Sequence, residues 1–133
     1  MSAFPGIAHV AVTVKDIAVS GPWYRQLFDA DPVLDEQTDA GFRHLVWMLD
    51  GGTLFGIHQH ERGVPAEPFT EFRVGLDHVG FGVASRAELE KWVERLNALR
   101  ISHGGIVDAG YGSGLSFRDP DRIALEFFAP PSQ

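Results

Sequence analysis

The sequence predicts an α+β fold made of two β-α-β-β-β modules in tandem, and three observations predict it. Residues 7–28 and 76–97 align without a gap at an offset of 69, placing His9 on His78, Val10 on Val79, Val14 on Val83, Trp23 on Trp92 and Leu27 on Leu96. Each copy opens on a strand pattern and runs into a helical one. Three more short strand patterns, parted by turn-forming residues, follow each helix.

The first strand pattern is Ile7–Val14, alternating and β-branched. Ala8, Val10, Val12 and Val14 share one face, which suits packing on a helix, and Ile7, His9, Ala11 and Thr13 share the other. Its counterpart places Asp77, Val79, Phe81 and Val83 on one face and Leu76, His78, Gly80 and Gly82 on the other. In the first helix, Ser20 is the expected N-cap, Pro22 lies in the first turn, and Trp23, Tyr24 and Leu27 form the apolar stripe. In the second, Ser85 and Glu88 form a capping box, and Leu89, Trp92, Val93, Leu96 and Leu99 recur at helical spacing. The remaining strands are expected at 33–38, 43–49 and 53–60 in module 1 and at 106–108, 114–118 and 123–128 in module 2. Turns fall at Ala40-Gly41, at Asp50-Gly51-Gly52 and at Asp119–Arg122. Module 1 spans about residues 5–61 and module 2 about residues 75–129. The linker at about 62–74 holds Gly63, Pro65 and Pro68.

Composition narrows the function. The chain has 133 residues, the size of one domain, with 44% hydrophobic and 22% charged residues. A formal net charge of −7 argues against nucleic acid and anionic membrane surfaces as partners, since both repel it. Cysteine is absent, so disulfides, thiolate metal sites and a Cys nucleophile are excluded, and any metal must be held by His, Asp or Glu. No apolar run is long enough to span a bilayer. Met1–Gly6 lacks the basic and apolar regions of a signal peptide, so the expected location is the cytoplasm. No Gly-x-Ser-x-Gly elbow occurs, and Gly110–Gly114 is followed neither by a helix nor by a P-loop Lys, so it is expected to be a strand turn.

His9 and His78 stand out among six histidines. Each sits in an apolar strand on the face turned from the helix, and the repeat relates them. Glu126 lies among Ile123-Ala124-Leu125 and Phe127-Phe128, where an unpartnered carboxylate is costly to bury, and its parity is that of Ala124 and Phe128. Two His and one carboxylate on matching faces suit a divalent metal with open positions. In module 1 the position matching Glu126 falls on Gly56 or His58, since the plain offset reaches Ile57, which has the wrong parity. His58 is preferred, because Gly56 offers no donor. His60 is expected at the cavity rim, and His44 and His103 are expected to be structural or surface residues.

These residues resemble the vicinal oxygen chelate superfamily, which includes glyoxalase I, fosfomycin- and bleomycin-resistance proteins and extradiol dioxygenases. The resemblance rests on Ile7-Ala8-His9-Val10-Ala11-Val12, on Leu76-Asp77-His78-Val79-Gly80-Phe81, and on Phe117-Arg118-Asp119-Pro120-Asp121 followed by Ile123-Ala124-Leu125-Glu126. It covers nearly the whole chain. It implies a curved, half-open mixed-sheet barrel with metal ligands on the first and fourth strands of each module. Those ligands would be His9, His78 and Glu126, with His58 or nothing in the fourth place. It also implies a divalent metal (Zn, Ni, Mn, Fe or Co), a small-molecule substrate and a homodimer, with ligands drawn from one chain or shared between two. Glu126 or an unbound His58 would move protons. The activity implied is lyase or isomerase chemistry of glyoxalase type, with the metal as Lewis acid. The alternatives are Fe(II) dioxygenation and bleomycin-resistance-like sequestering of a small molecule without turnover.

Overall fold

The computed structural model describes residues 3–131. The chain divides between Ala66 and Glu67, inside the expected linker, into two compact units. The first contains β1 (His9–Thr13), α1 (Ile17–Phe28), β2 (Leu34–Gln37), β3 (Phe42–Met48) and β4 (Leu54–His60). The second contains β5 (Val79–Gly82), α2 (Arg86–Ala98), β6 (His103–Ala109), β7 (Gly112–Arg118) and β8 (Ala124–Ala129). Each unit is one four-stranded mixed sheet. The strand orders are β1-β4-β3-β2 and β5-β8-β7-β6, so the expected repeat is present in the topology, and the strands are not closed into a barrel. In both, the first strand pairs parallel with the last and the other pairs are antiparallel. No helix among the described residues is long and apolar enough to cross a membrane.

Helix α1 begins one turn earlier than its sequence suggests. Asp16, not Ser20, is the N-cap, and its Oδ1 accepts from Ala18 N–H at 2.9 Å. Gln59 Oε1 on β4 accepts from Ile17 N–H at 2.7 Å. Two of the otherwise orphaned amides at the helix start are thereby satisfied. Ser20 and Gly21 are then buried inside the helix, and a Cβ on Gly21 would lie 3.1 Å from Leu45 Cδ1. Pro22 falls past the first turn, where it removes a helical hydrogen bond. Helix α2 starts as expected, with Ser85 accepting from Glu88 N–H. Asp16 and Ser85 are themselves 69 residues apart, so the repeat offset also relates the two caps.

The buried face of the first sheet presents Val12, Leu45, Trp47, Phe55 and Ile57, and α1 adds Ile17, Tyr24 and Leu27. In the second unit Leu115, Phe117, Leu125 and Phe127 are buried together with Leu89 and Leu96 of α2. Trp92 stacks on Phe127 at 4.0 Å between ring centroids. In the first unit it is Tyr24, next to Trp23, that is fully buried and meets Phe55 at 5.3 Å. Trp47 is core, with its indole N–H donating to Ala30 O at 2.9 Å.

Candidate functional site

His9, His58 and Glu126 lie on the sheet faces opposite the buried ones, because side chains alternate along each strand. In the first unit, cross-strand pairing sets Thr13, His58, His44 and Glu36 in one row, from β1 through β4 and β3 to β2. Glu36 Oε1 lies 2.9 Å from His44 Nε2. The His44 and His58 rings meet edge to face at 5.2 Å. Phe42 stacks on His58 at 4.4 Å with 14° between the planes. His60 Nε2 lies 3.4 Å from Thr13 Oγ1 at the end of β4.

Burial, reinforced by His44, His60 and His9 nearby, holds the His58 pKa below its ordinary value. The imidazole is therefore neutral at neutral pH, the form that can accept a proton or a metal. The sign of its pH effect follows. As pH falls through about 6.5, the unfolded chain takes up a proton at His58 that the folded chain resists until lower pH. Metal-free protein should thus lose stability between pH 7.5 and 5, and His58→Gln should lose less. Thermal melts across that range check this; equal losses in the two proteins would contradict it.

In the second unit Glu126 is flanked by Gly80 on β5 and Ser116 on β7. Its half-buried carboxylate lies over glycine: a Cβ on Gly114 would meet Oε2 at 3.0 Å, and one on Gly80 would meet Oε1 at 3.9 Å. No hydrogen bond or ion pair engages Glu126 among the described residues. The nearby cation on the same strand pair, Arg118, is instead committed to Glu71 and to Arg122 O.

His9 and His78 differ from expectation. His9 is the first residue of β1, His78 precedes β5, and both are exposed rather than buried within an apolar strand. The desolvation argument for a partner therefore applies to Glu126 and not to these two imidazoles. His78 Nδ1 lies 2.7 Å from Asp77 Oδ1, a contact that orients the ring and leaves Nε2 for another partner.

The strand registers bear on the fourth position. Ala11 and Gly80 correspond in the repeat; Ala11 pairs with Gly56, and Gly80 pairs with Glu126. The counterpart of Glu126 is therefore Gly56, and His58, preferred from the sequence, stands two residues further along β4. Yet a Cβ on Gly56 would lie only 3.7 Å from His58 Nε2. The imidazole leans back over the place where Gly56 has no side chain. Gly56 holds the position in the ladder, and His58 supplies a nitrogen above it.

His9 and His58 thus belong to the first unit, and His78 and Glu126 to the second. Among the described residues, no three His, Asp or Glu side chains are gathered as a metal-binding group. Sequence reasoning passed over His44 and Glu36. Hairpin arithmetic could have found them: His44 and His58 are equidistant from Gly51, and Glu36 and His44 from Ala40, the two turns already recognised.

A family model described as Glyoxalase/Bleomycin resistance protein/Dioxygenase superfamily matches residues 6–127. The chain is 27% identical over 123 residues to the metallothiol transferase FosB of Staphylococcus haemolyticus, covering 91% of this chain and 81% of that protein. A glyoxylase/bleomycin resistance protein/dioxygenase domain from Frankia sp. EAN1pec superposes with a TM-score of 0.86 at 31% identity, over 98% of this chain and 95% of that one. The lactoylglutathione lyase of Agrobacterium tumefaciens superposes with a TM-score of 0.71 at 19% identity, over 96% of each chain, a likeness of fold alone.

Proposed function

We propose, for a chain that belongs to the Glyoxalase/Bleomycin resistance protein/Dioxygenase superfamily, a divalent-metal-dependent reaction of glyoxalase type, a lyase or isomerase step on a small substrate that presents two oxygen atoms. His9, His78 and Glu126 are the proposed ligating residues, with His58 Nε2 as the fourth donor. One observation carries the reading: Glu126 is a half-buried carboxylate in an apolar strand, over glycine, with no partner among the described residues. A structural carboxylate in such a place would be paired. Imidazoles and a carboxylate suit a borderline divalent ion. When bound, the ion supplies Lewis acidity toward the substrate's oxygen atoms. Glu126 contributes charge and the capacity to hold a proton beside the substrate, a role that passes to His58 where its ring is not bound. That the FosB relative is named a metallothiol transferase supports a metal in this chain too. The chain is further proposed to act as a homodimer, a reading supported by the large exposed side chains of Phe72 and Val74.

Metal analysis of protein purified without chelators tests the reading. The expected result is about one ion per chain, removed by chelation and restored by adding metal back. No metal, together with tight binding of an apolar ligand, would instead favour sequestering without turnover. Iron as the native metal, with oxygen consumed on a ring substrate, would favour dioxygenation.

A further inference from the structure

His58 serves the proposed site only if its ring stays folded back over Gly56. A side chain on a strand ordinarily stands off the sheet. On β4 itself the ring meets His60 at 6.2 Å, tilted by 47°. The neighbouring strands hold it more closely. Phe42 lies diagonally across the ladder, opposite His60, and its ring stacks on His58 at 4.4 Å, nearly parallel. From that end it backs the imidazole, whose Nε2 lies on the Gly56 side. His44, directly opposite His58, meets the ring edge-on at 84°. His44 is in turn tied through Nε2 to Glu36 Oε1 at 2.9 Å, with only 15% of its side chain exposed. Neither ring nitrogen of His58 has a hydrogen-bond partner among the described residues, so the pose is set by ring contacts and by the room over Gly56.

We propose that Phe42, His44 and Glu36 are positioning residues that clamp the His58 imidazole with Nε2 over Gly56, so that a residue displaced along β4 delivers its donor to the site. The proposal rests on the metal-dependent reading above. Phe42 supplies one flat wall, His44 fixes the rotation of the ring against that wall, and Glu36 fixes His44. Outer contacts of this kind set ring orientation, and their loss typically lowers metal affinity about 10–100-fold.

The test uses the full chain and Zn2+ alone as the probe, in two measurements. In metal-free protein, imidazole NMR correlations of His58 should move in Phe42→Leu and in Glu36→Gln, and return toward wild type in Phe42→Trp and Glu36→Asp. In calorimetric titrations, Phe42→Leu and Glu36→Gln should weaken Zn2+ binding by about tenfold or more, with the conservative variants again restoring it. Thermal melts of each variant separate these effects from a general loss of fold, which Phe42→Trp and Glu36→Asp would not rescue selectively. If wild type binds Zn2+ and His58→Ala weakens it, but Phe42→Leu and Glu36→Gln bind as wild type, the clamp is overturned and the metal-dependent reading stands. If wild type binds no Zn2+, both fall. Unmoved His58 correlations in both variants would overturn the clamp whatever the titrations show.

Discussion

Phe127→Ala should cost about 3–5 kcal/mol, a large part of the roughly 5–15 kcal/mol that holds an ordinary domain together. Phe127 is 3% exposed and is the ring on which the second core converges. Trp92 of α2 stacks on it at 4.0 Å, Phe117 of β7 stacks on it at 5.2 Å, and Phe81 of β5 meets it at 5.7 Å. Truncation removes apolar burial and leaves a cavity bounded by a helix and two strands, which cannot collapse together. Its neighbour Phe128 points to the opposite face and is half-buried, so Phe128→Ala should lose much less. Urea denaturation of both variants checks the contrast, and equal losses would place the core on the wrong face of β8.

On the metal-dependent reading proposed above, Glu126→Ala should weaken Zn2+ binding by roughly a hundredfold or more, one ligand's share of a site of the usual strength, about 10–16 kcal/mol. Gly114→Ala should act on the same carboxylate without touching its chemistry. A Cβ there would stand 3.0 Å from Oε2 and 3.2 Å from the carboxyl carbon, tighter than ordinary contact, so the group must shift. Because ligands tolerate little displacement, a loss of about tenfold is expected from Gly114→Ala, with little change in melting temperature. Zn2+ titrations beside thermal melts separate the two effects. If Gly114→Ala and Glu126→Ala both bind Zn2+ like wild type while His78→Ala does not, Glu126 is no ligand.

Much of this was legible before any coordinates. Strand alternation and helical spacing are local signals, and they located the strands and helices of both units to within three residues at each end, apart from the start of α1, which lies four residues earlier. The start of α1 was missed because Asp16 and Ser20 are both good caps. The choice is made by Gln59, which reaches the Ile17 amide from a strand more than forty residues away. The Gly56–His58 question could not be settled by counting either. Between Ala11–Gly56 and Gly80–Glu126 the spacing grows from 45 to 46 residues, and only the paired registers show which residue gains the extra step. His44 was set aside because a lone histidine in a strand is ordinarily structural. Its meaning depends on what stands across the hairpin.

The parallel pairing of first strand with last also governs how this chain comes to be folded. His9 finds its partner in Leu54, and Val79 finds its partner in Leu125, so each sheet is sealed by a contact between the two ends of its own unit. Loop-closure entropy must be met over nearly the whole length of a unit before that ladder can form, and pairings of long sequence separation belong to slow folders, on the millisecond-to-second scale. During synthesis β1 has no place in a sheet until β4 has left the ribosome, and β5 waits in the same way for β8 at the far end of the chain. The hairpins β2-β3-β4 and β6-β7-β8 can form early, with the edge of β4 or β8 unpaired until the first strand arrives. That open edge is a template for another chain's strand, so crowded synthesis exposes each half of the molecule to mispairing with a neighbour or with its own sibling half.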